Sequence, residues 1–126
     1  MDLVNQIQYL QKQLDISVKQ LRKNGIELAQ AEQDYKIAVC KKALELKDSG
    51  MAATLIQLTI YGYQEIATLR FKRDSAEVIY NANQEAINSI KLQLRLLSNQ
   101  YDKEWGNTNE WDMERYTKLW RIISSK

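Results

Sequence analysis

The stretch from Tyr63 to Trp105, YQEIATLRFKRDSAEVIYNANQEAINSIKLQLRLLSNQYDKEW, decides the fold, because it contains neither glycine nor proline and repeats its apolar residues at helical spacing. Ile66, Leu69, Ala76, Tyr80, Ile87, Ile90, Leu94, Leu97 and Tyr101 follow one another by three and four residues once Arg73 and Asn83 are counted as the two polar positions of the stripe. A helix of this length would extend about 65 Å at ~1.5 Å per residue. It needs a partner for its apolar face, because isolated helices gain little stability in water.

The partner lies upstream. Leu3, Ile7, Leu10, Leu14, Leu21, Leu28, Ala31, Tyr35 and Val39 repeat with the same 3.5-residue average, and Ser17 and Asn24 are the polar members. This predicts a helix over residues 1–48, kinked or briefly interrupted at Asn24 and Gly25, and stopped after Asp48 by Ser49 and Gly50. Between the two stripes, Thr54 and Gln57 have capping-box spacing, which predicts a short helix over 55–61 that ends at Gly62. Ile56, Leu58 and Ile60 alternate as in a strand, but no second strand is present to pair with them.

Downstream, Gly106, Asn107, Thr108 and Asn109 form a break and cap before a helix over 109–124, with Glu110, Asp112 and Glu114 early and Lys118, Arg121 and Lys126 late, in the sense that suits the helix dipole. The expected architecture is therefore all-α and a single domain over 1–126. It is a long antiparallel helical hairpin, coiled-coil-like, with a short connecting helix, a second long helix over 63–105 and a C-terminal aromatic-rich helix. Ile16, Val18, Ile37, Ile79, Leu92 and Leu96 lie off the main seam, an excess of apolar surface that calls for a third helix, a second copy or a partner.

Composition restricts the chemistry. The 126 residues include no proline, no histidine, one cysteine and four glycines. Without histidine, Ser-His-Asp, Cys-His and histidine-zinc chemistries are excluded. The isolated glycines form no phosphate-binding loop, so nucleotide hydrolysis is not expected. Carboxylates such as Glu32 with Asp34, or Glu110 with Asp112 and Glu114, read as solvated helix faces, and no metal or cofactor is expected. Cys40 stands among Lys36, Lys41 and Lys42, a cationic setting of the kind that activates thiols; with neither histidine nor a second cysteine, it reads as a small buried hydrophobe. No secretion signal is evident, and the weakly polar run Met51 to Tyr63 is far short of the ~20 residues that span a bilayer. A reducing cytoplasm, with no membrane association, is the expected setting.

Residues 25–56, GIELAQAEQDYKIAVCKKALELKDSGMAATLI, and 66–106, IATLRFKRDSAEVIYNANQEAINSIKLQLRLLSNQYDKEWG, resemble a family of small helical proteins of unknown function encoded by phages and prophages of Gram-positive bacteria. The resemblance implies a phage origin and action inside the host cell. It supplies no reaction, and the tail beyond Gly106 departs from the family pattern.

Two groups of residues are candidates for contact. Trp105, Trp111, Tyr116 and Trp120 concentrate aromatics near the C-terminus, where they either cover one end of the hairpin or anchor a protein partner. Arg70, Phe71, Lys72 and Arg73 fall near the level of Lys41 and Lys42 in an antiparallel pairing, a basic zone with an aromatic that suits a nucleic-acid backbone. Glu45, Asp48, Glu65, Asp74 and Glu77 share those levels, and with 18 basic against 16 acidic residues the chain has a net charge of only +2. Ion pairing on a solvated face competes with that reading. The expected function is a non-enzymatic phage-type interaction protein that acts through a helical surface on a host or phage protein, including inhibition of a bacterial defence system. The alternatives are a nucleic-acid-binding accessory of phage replication or recombination and a structural homo-oligomer; self-association through the surplus apolar face is also expected.

Overall fold

The computed structural model describes residues 2–105 and 110–124, the side chains of the second segment from Thr117 onward. Four α-helices follow in order, α1 (Leu3–Asp48), α2 (Ala53–Thr59), α3 (Gln64–Trp105) and α4 (Glu110–Ser124), with a 3₁₀ turn at Ile60–Gly62 and no strand among the described residues. α1 and α3 pack against each other as a helical hairpin, so the all-α reading holds. Contacts divide the chain into two units, Met1–Gln20 with Asn83–Lys126, and Leu21–Ala82.

In the first unit α1 and α3 run antiparallel. Ile7 and Tyr101 line one cavity, Leu10 and Leu97 line one groove, and the Asn83 side-chain amide donates to the Ser17 carbonyl at 3.2 Å. Leu14 and Leu94 are fully buried, as the two stripes require. In the second unit the order is again antiparallel, with Tyr80 against Gly25, Arg73 over Tyr35, and Glu65 paired with Lys42. Every stripe residue of both helices is buried or half-buried.

The interruption expected at Asn24 and Gly25 does not occur: α1 is helical over all 46 residues and runs through both. A glycine costs a helix about 1 kcal/mol relative to alanine, and packing over the rest of the stripe offsets that easily. Gly25 instead gives the Tyr80 ring room to approach. Ends follow local chemistry. Asp2 caps α1, its carboxylate accepting from the Asn5 N–H at 2.8 Å. At the other end Met51 N–H donates to the Leu46 carbonyl and Gly50 N–H to that of Lys47, the paired bonds of a Schellman stop, and Gly50 takes φ +92°.

The expected capping box at Thr54 and Gln57 does not form. α2 begins at Ala53 after Ala52, with no side-chain cap, and the Thr59 hydroxyl donates backward to the Leu55 carbonyl. No residue of α2 is buried; the apolar weight of the connection falls on Ile60 in the 3₁₀ turn. Cys40, expected to be buried, is exposed, because it follows Val39 and points away from the seam. The expected break and cap at Gly106 to Asn109 lie outside the described residues.

Candidate interaction surfaces

Two grooves flank the α1/α3 seam in the first unit, and the heptad positions explain them. With Ile7, Leu14, Ile87 and Leu94 at a, and Leu10, Ile90 and Leu97 at d, Val4, Gln11 and Ser98 fall at e while Gln6, Gln13 and Gln93 fall at g. In an antiparallel pair the e positions share one flank and the g positions the other. α4 closes over the e flank: Ile123 is buried, Ser98 is only 1% exposed, and a cavity of about 310 Å³ remains between α4 and the two long helices.

The g flank stays open. A groove of about 370 Å³ is lined by Gln6, Tyr9, Leu10, Gln93, Leu96 and Leu97. Tyr9 is 54% exposed and Leu96 59%, and Ile16 and Leu92 are exposed on the same two helices. Among the described residues, none that lines this groove is charged. An apolar floor with glutamine amides at its rim, and without charge, matches the make-up of a protein-contact core.

The aromatic candidates are only partly placed. Trp105 is exposed, and its ring stands 6.0 Å from that of buried Tyr101, tilted by 37°. Trp120 is about half exposed on α4, while Leu119 and Ile122 on the same helix are half-buried. The side chains of Trp111 and Tyr116, like those of Glu110, Asp112 and Glu114, lie outside the described residues. Thus the apolar side of α4 seats the helix through Ile123, Leu119 and Ile122, and Trp120 contributes a smaller part.

The basic zone in the second unit is largely engaged. The Arg73 guanidinium bonds Asp74 through Nη2 at 2.7 Å and Nε at 3.0 Å, and lies 4.6 Å over the Tyr35 ring. The Asp74 carboxylate is the chief reason that the Arg73 proton is held more tightly than usual. The Lys42 ammonium sits 3.0 Å from Glu65, 3.8 Å from Glu45 and 4.3 Å from the centre of the Tyr63 ring. Its pKa is raised, first by the hydrogen bond to Glu65, against a smaller opposing effect of burial. Arg70 lies 5.4 Å over the Tyr61 ring. Lys41, Lys72 and Phe71 are exposed, Phe71 by 74%.

Three tyrosines, Tyr35, Tyr61 and Tyr63, therefore hold cations that were candidates for phosphate contact as the second reading of the sequence. The antiparallel register could have shown part of this, since it sets Tyr35 opposite Arg73. The open g-flank groove was foreseen only as surplus apolar surface through Ile16, Leu92 and Leu96; the signal that marks it as a groove was the occurrence of Gln6, Gln13 and Gln93 at g with Tyr9, Ile16 and Leu96 at c, uncharged amides beside large apolar side chains. Comparison with known protein families finds no family model that matches this sequence, and searches of the curated proteins and of the solved structures return no match.

Proposed function

We propose that this chain is a non-enzymatic protein-binding module whose contact surface is the open α1/α3 groove around Tyr9 and Leu96. The observation that carries the reading is the contrast between the two flanks of one seam: α4 covers one, and the other leaves large apolar side chains exposed around an uncharged groove. A groove of this kind takes the apolar face of a partner helix through anchors at i, i+3, i+4 and i+7. The resemblance of residues 25–106 to phage-encoded helical proteins supports a host or phage protein as the partner, with components of bacterial defence systems among the candidates. Binding would act by occlusion or bridging, and the exposed faces of Trp105 and Trp120 supply a second, smaller contact.

Nucleic-acid binding is the second reading, favoured by exposed Phe71 between Arg70 and Lys72. The engagement of Arg70, Arg73 and Lys42 with tyrosine rings and carboxylates weighs against it.

The test is affinity capture with crosslinking from phage-infected bacterial cells, comparing the wild type with Tyr9→Ser plus Leu96→Ser, each confirmed as folded by circular dichroism. Loss of one defined protein in the groove variant, with retention in Arg70→Glu plus Lys72→Glu, is the expected result. The same protein retained by the groove variant removes the proposed surface. A mobility shift on DNA or RNA that weakens steeply with salt and disappears in the Glu variant would favour the second reading. Light scattering that shows a stable oligomer lost in the groove variant would identify the partner as a further copy of the chain.

A further inference from the structure

We propose that the cavity under α4 is a binding site for a small amphipathic anion, an alkyl chain of medium length ending in a carboxylate. The site is distinct from the open groove and does not depend on the protein-binding reading. Its volume of about 310 Å³ falls at the lower end of the ~300–1,000 Å³ typical of small-molecule sites, which in helical proteins lie between helices.

The lining divides by chemistry. Val4 and Ile7 from α1 and Leu119 and Ile122 from α4 form apolar walls. Gln8, Gln11 and Lys118 are its polar lining residues, and Lys118 itself is exposed. Tyr101 adds an aromatic wall from α3, and no carboxylate lines the cavity among the described residues. The formal charge that these residues bring to the lining is thus positive and stands beside amide N–H donors, so the complementary ligand carries its negative charge on one terminal group and is otherwise apolar. A carboxylate accepts from an ammonium and an amide at once, which gives shorter and stronger hydrogen bonds than a neutral hydroxyl would make. A fully apolar ligand would offer Lys118 no counter-charge, and a highly charged one would desolvate against Val4, Ile7, Leu119 and Ile122.

Isothermal titration of the full chain with hexanoate, octanoate and decanoate, against octanol, tests the site. The expected result is saturable one-to-one binding whose affinity rises about fourfold per added methylene until the cavity is filled, then levels off. Octanoate should bind more tightly than octanol. Lys118→Met should lower octanoate affinity about tenfold and leave octanol unchanged. Val4→Trp should abolish binding of both by filling the cavity. If Val4→Trp does not fold, the Lys118→Met comparison decides alone. Absence of saturable octanoate binding, equal binding of octanoate and octanol, or an octanoate affinity untouched by Lys118→Met would overturn the proposal.

Discussion

A methyl group built at Gly25 would stand 3.2 Å from Cε1 of Tyr80, so the one glycine inside α1 is matched to one tyrosine of α3. Two effects of opposite sign meet here. Alanine favours the helix by about 1 kcal/mol, while the ring must yield by a few tenths of an ångström. Tyr80 is half-buried and its ring can turn, so Gly25→Ala should be neutral to mildly stabilising. In a Tyr80→Ala background the same change should deliver the full gain of about 1 kcal/mol. Gly25→Leu should destabilise by about 1–3 kcal/mol through overpacking. Chemical denaturation of the four variants gives the coupling, and a Gly25→Ala loss well beyond about 1 kcal/mol in both backgrounds would show that the contact is not the governing effect.

Ser98 offers a gain. Its side chain is 1% exposed and its hydroxyl has no hydrogen-bond partner among the described residues. Ser98→Ala removes a desolvated polar group at little change in volume and should stabilise by about 1 kcal/mol. A shift of the urea midpoint upward, at constant slope, is the expected readout. A downward shift would mean that the hydroxyl is satisfied in solution.

Asn83 interrupts the α3 stripe but reaches across to the Ser17 carbonyl at 3.2 Å. Asn83→Ala should cost about 1 kcal/mol, because the bond is lost at a half-buried position. Thermal melting that leaves Asn83→Ala equal to the wild type would assign the bond no net contribution.

Lys42 should give a pH signature. Its folded-state pKa is raised above the ordinary lysine value of 10.5, chiefly by the hydrogen bond to Glu65. The native state therefore holds this proton more tightly than the unfolded chain. The resulting stabilisation is fully present below the unfolded value and is lost as pH rises through the raised one. The stability difference between wild type and Lys42→Met should be flat from about pH 7 to about pH 9.5 and narrow at higher pH. A difference that instead narrows on acidification above the carboxylate range would contradict the assignment.

Leu14 and Leu58 separate core from surface. Leu14 is fully buried and Leu58 is 82% exposed on α2. Leu14→Ala should cost about 2–5 kcal/mol, whereas Leu58→Ser should stay within about 0.5 kcal/mol. An appreciable loss on Leu58→Ser would reveal that α2 is covered in solution, for example by a partner.

Much of the fold was legible along the chain because helical periodicity is a local property. The spacing of Ile66 to Tyr101 and of Leu3 to Val39 named the seam, and Ser49 with Gly50 named the stop of α1. Two local signals failed. Thr54 and Gln57 have the right spacing for a cap, yet α2 starts at Ala53 without using it. Gly25 reads as a break along the chain and is a packing slot in the fold.

The candidate surfaces were legible only in part. Residue types suggested where aromatic and basic groups gather, but periodicity along one helix does not say which flank of a seam a third helix will cover. That choice depends on the tertiary meeting of Ile123 and Leu119 with α1 and α3, residues remote in sequence. The same holds for charge: Arg73, Lys42 and Arg70 are cations in any reading, but only their approach to Tyr35, Tyr63 and Tyr61 commits them to internal pairs. Spacing along the chain is enough to set two long amphipathic helices and the seam between them, because an apolar stripe at helical period must be buried. The tertiary structure decided which flank stays open and which charges remain for a partner, because those depend on distances between residues that no local pattern encodes.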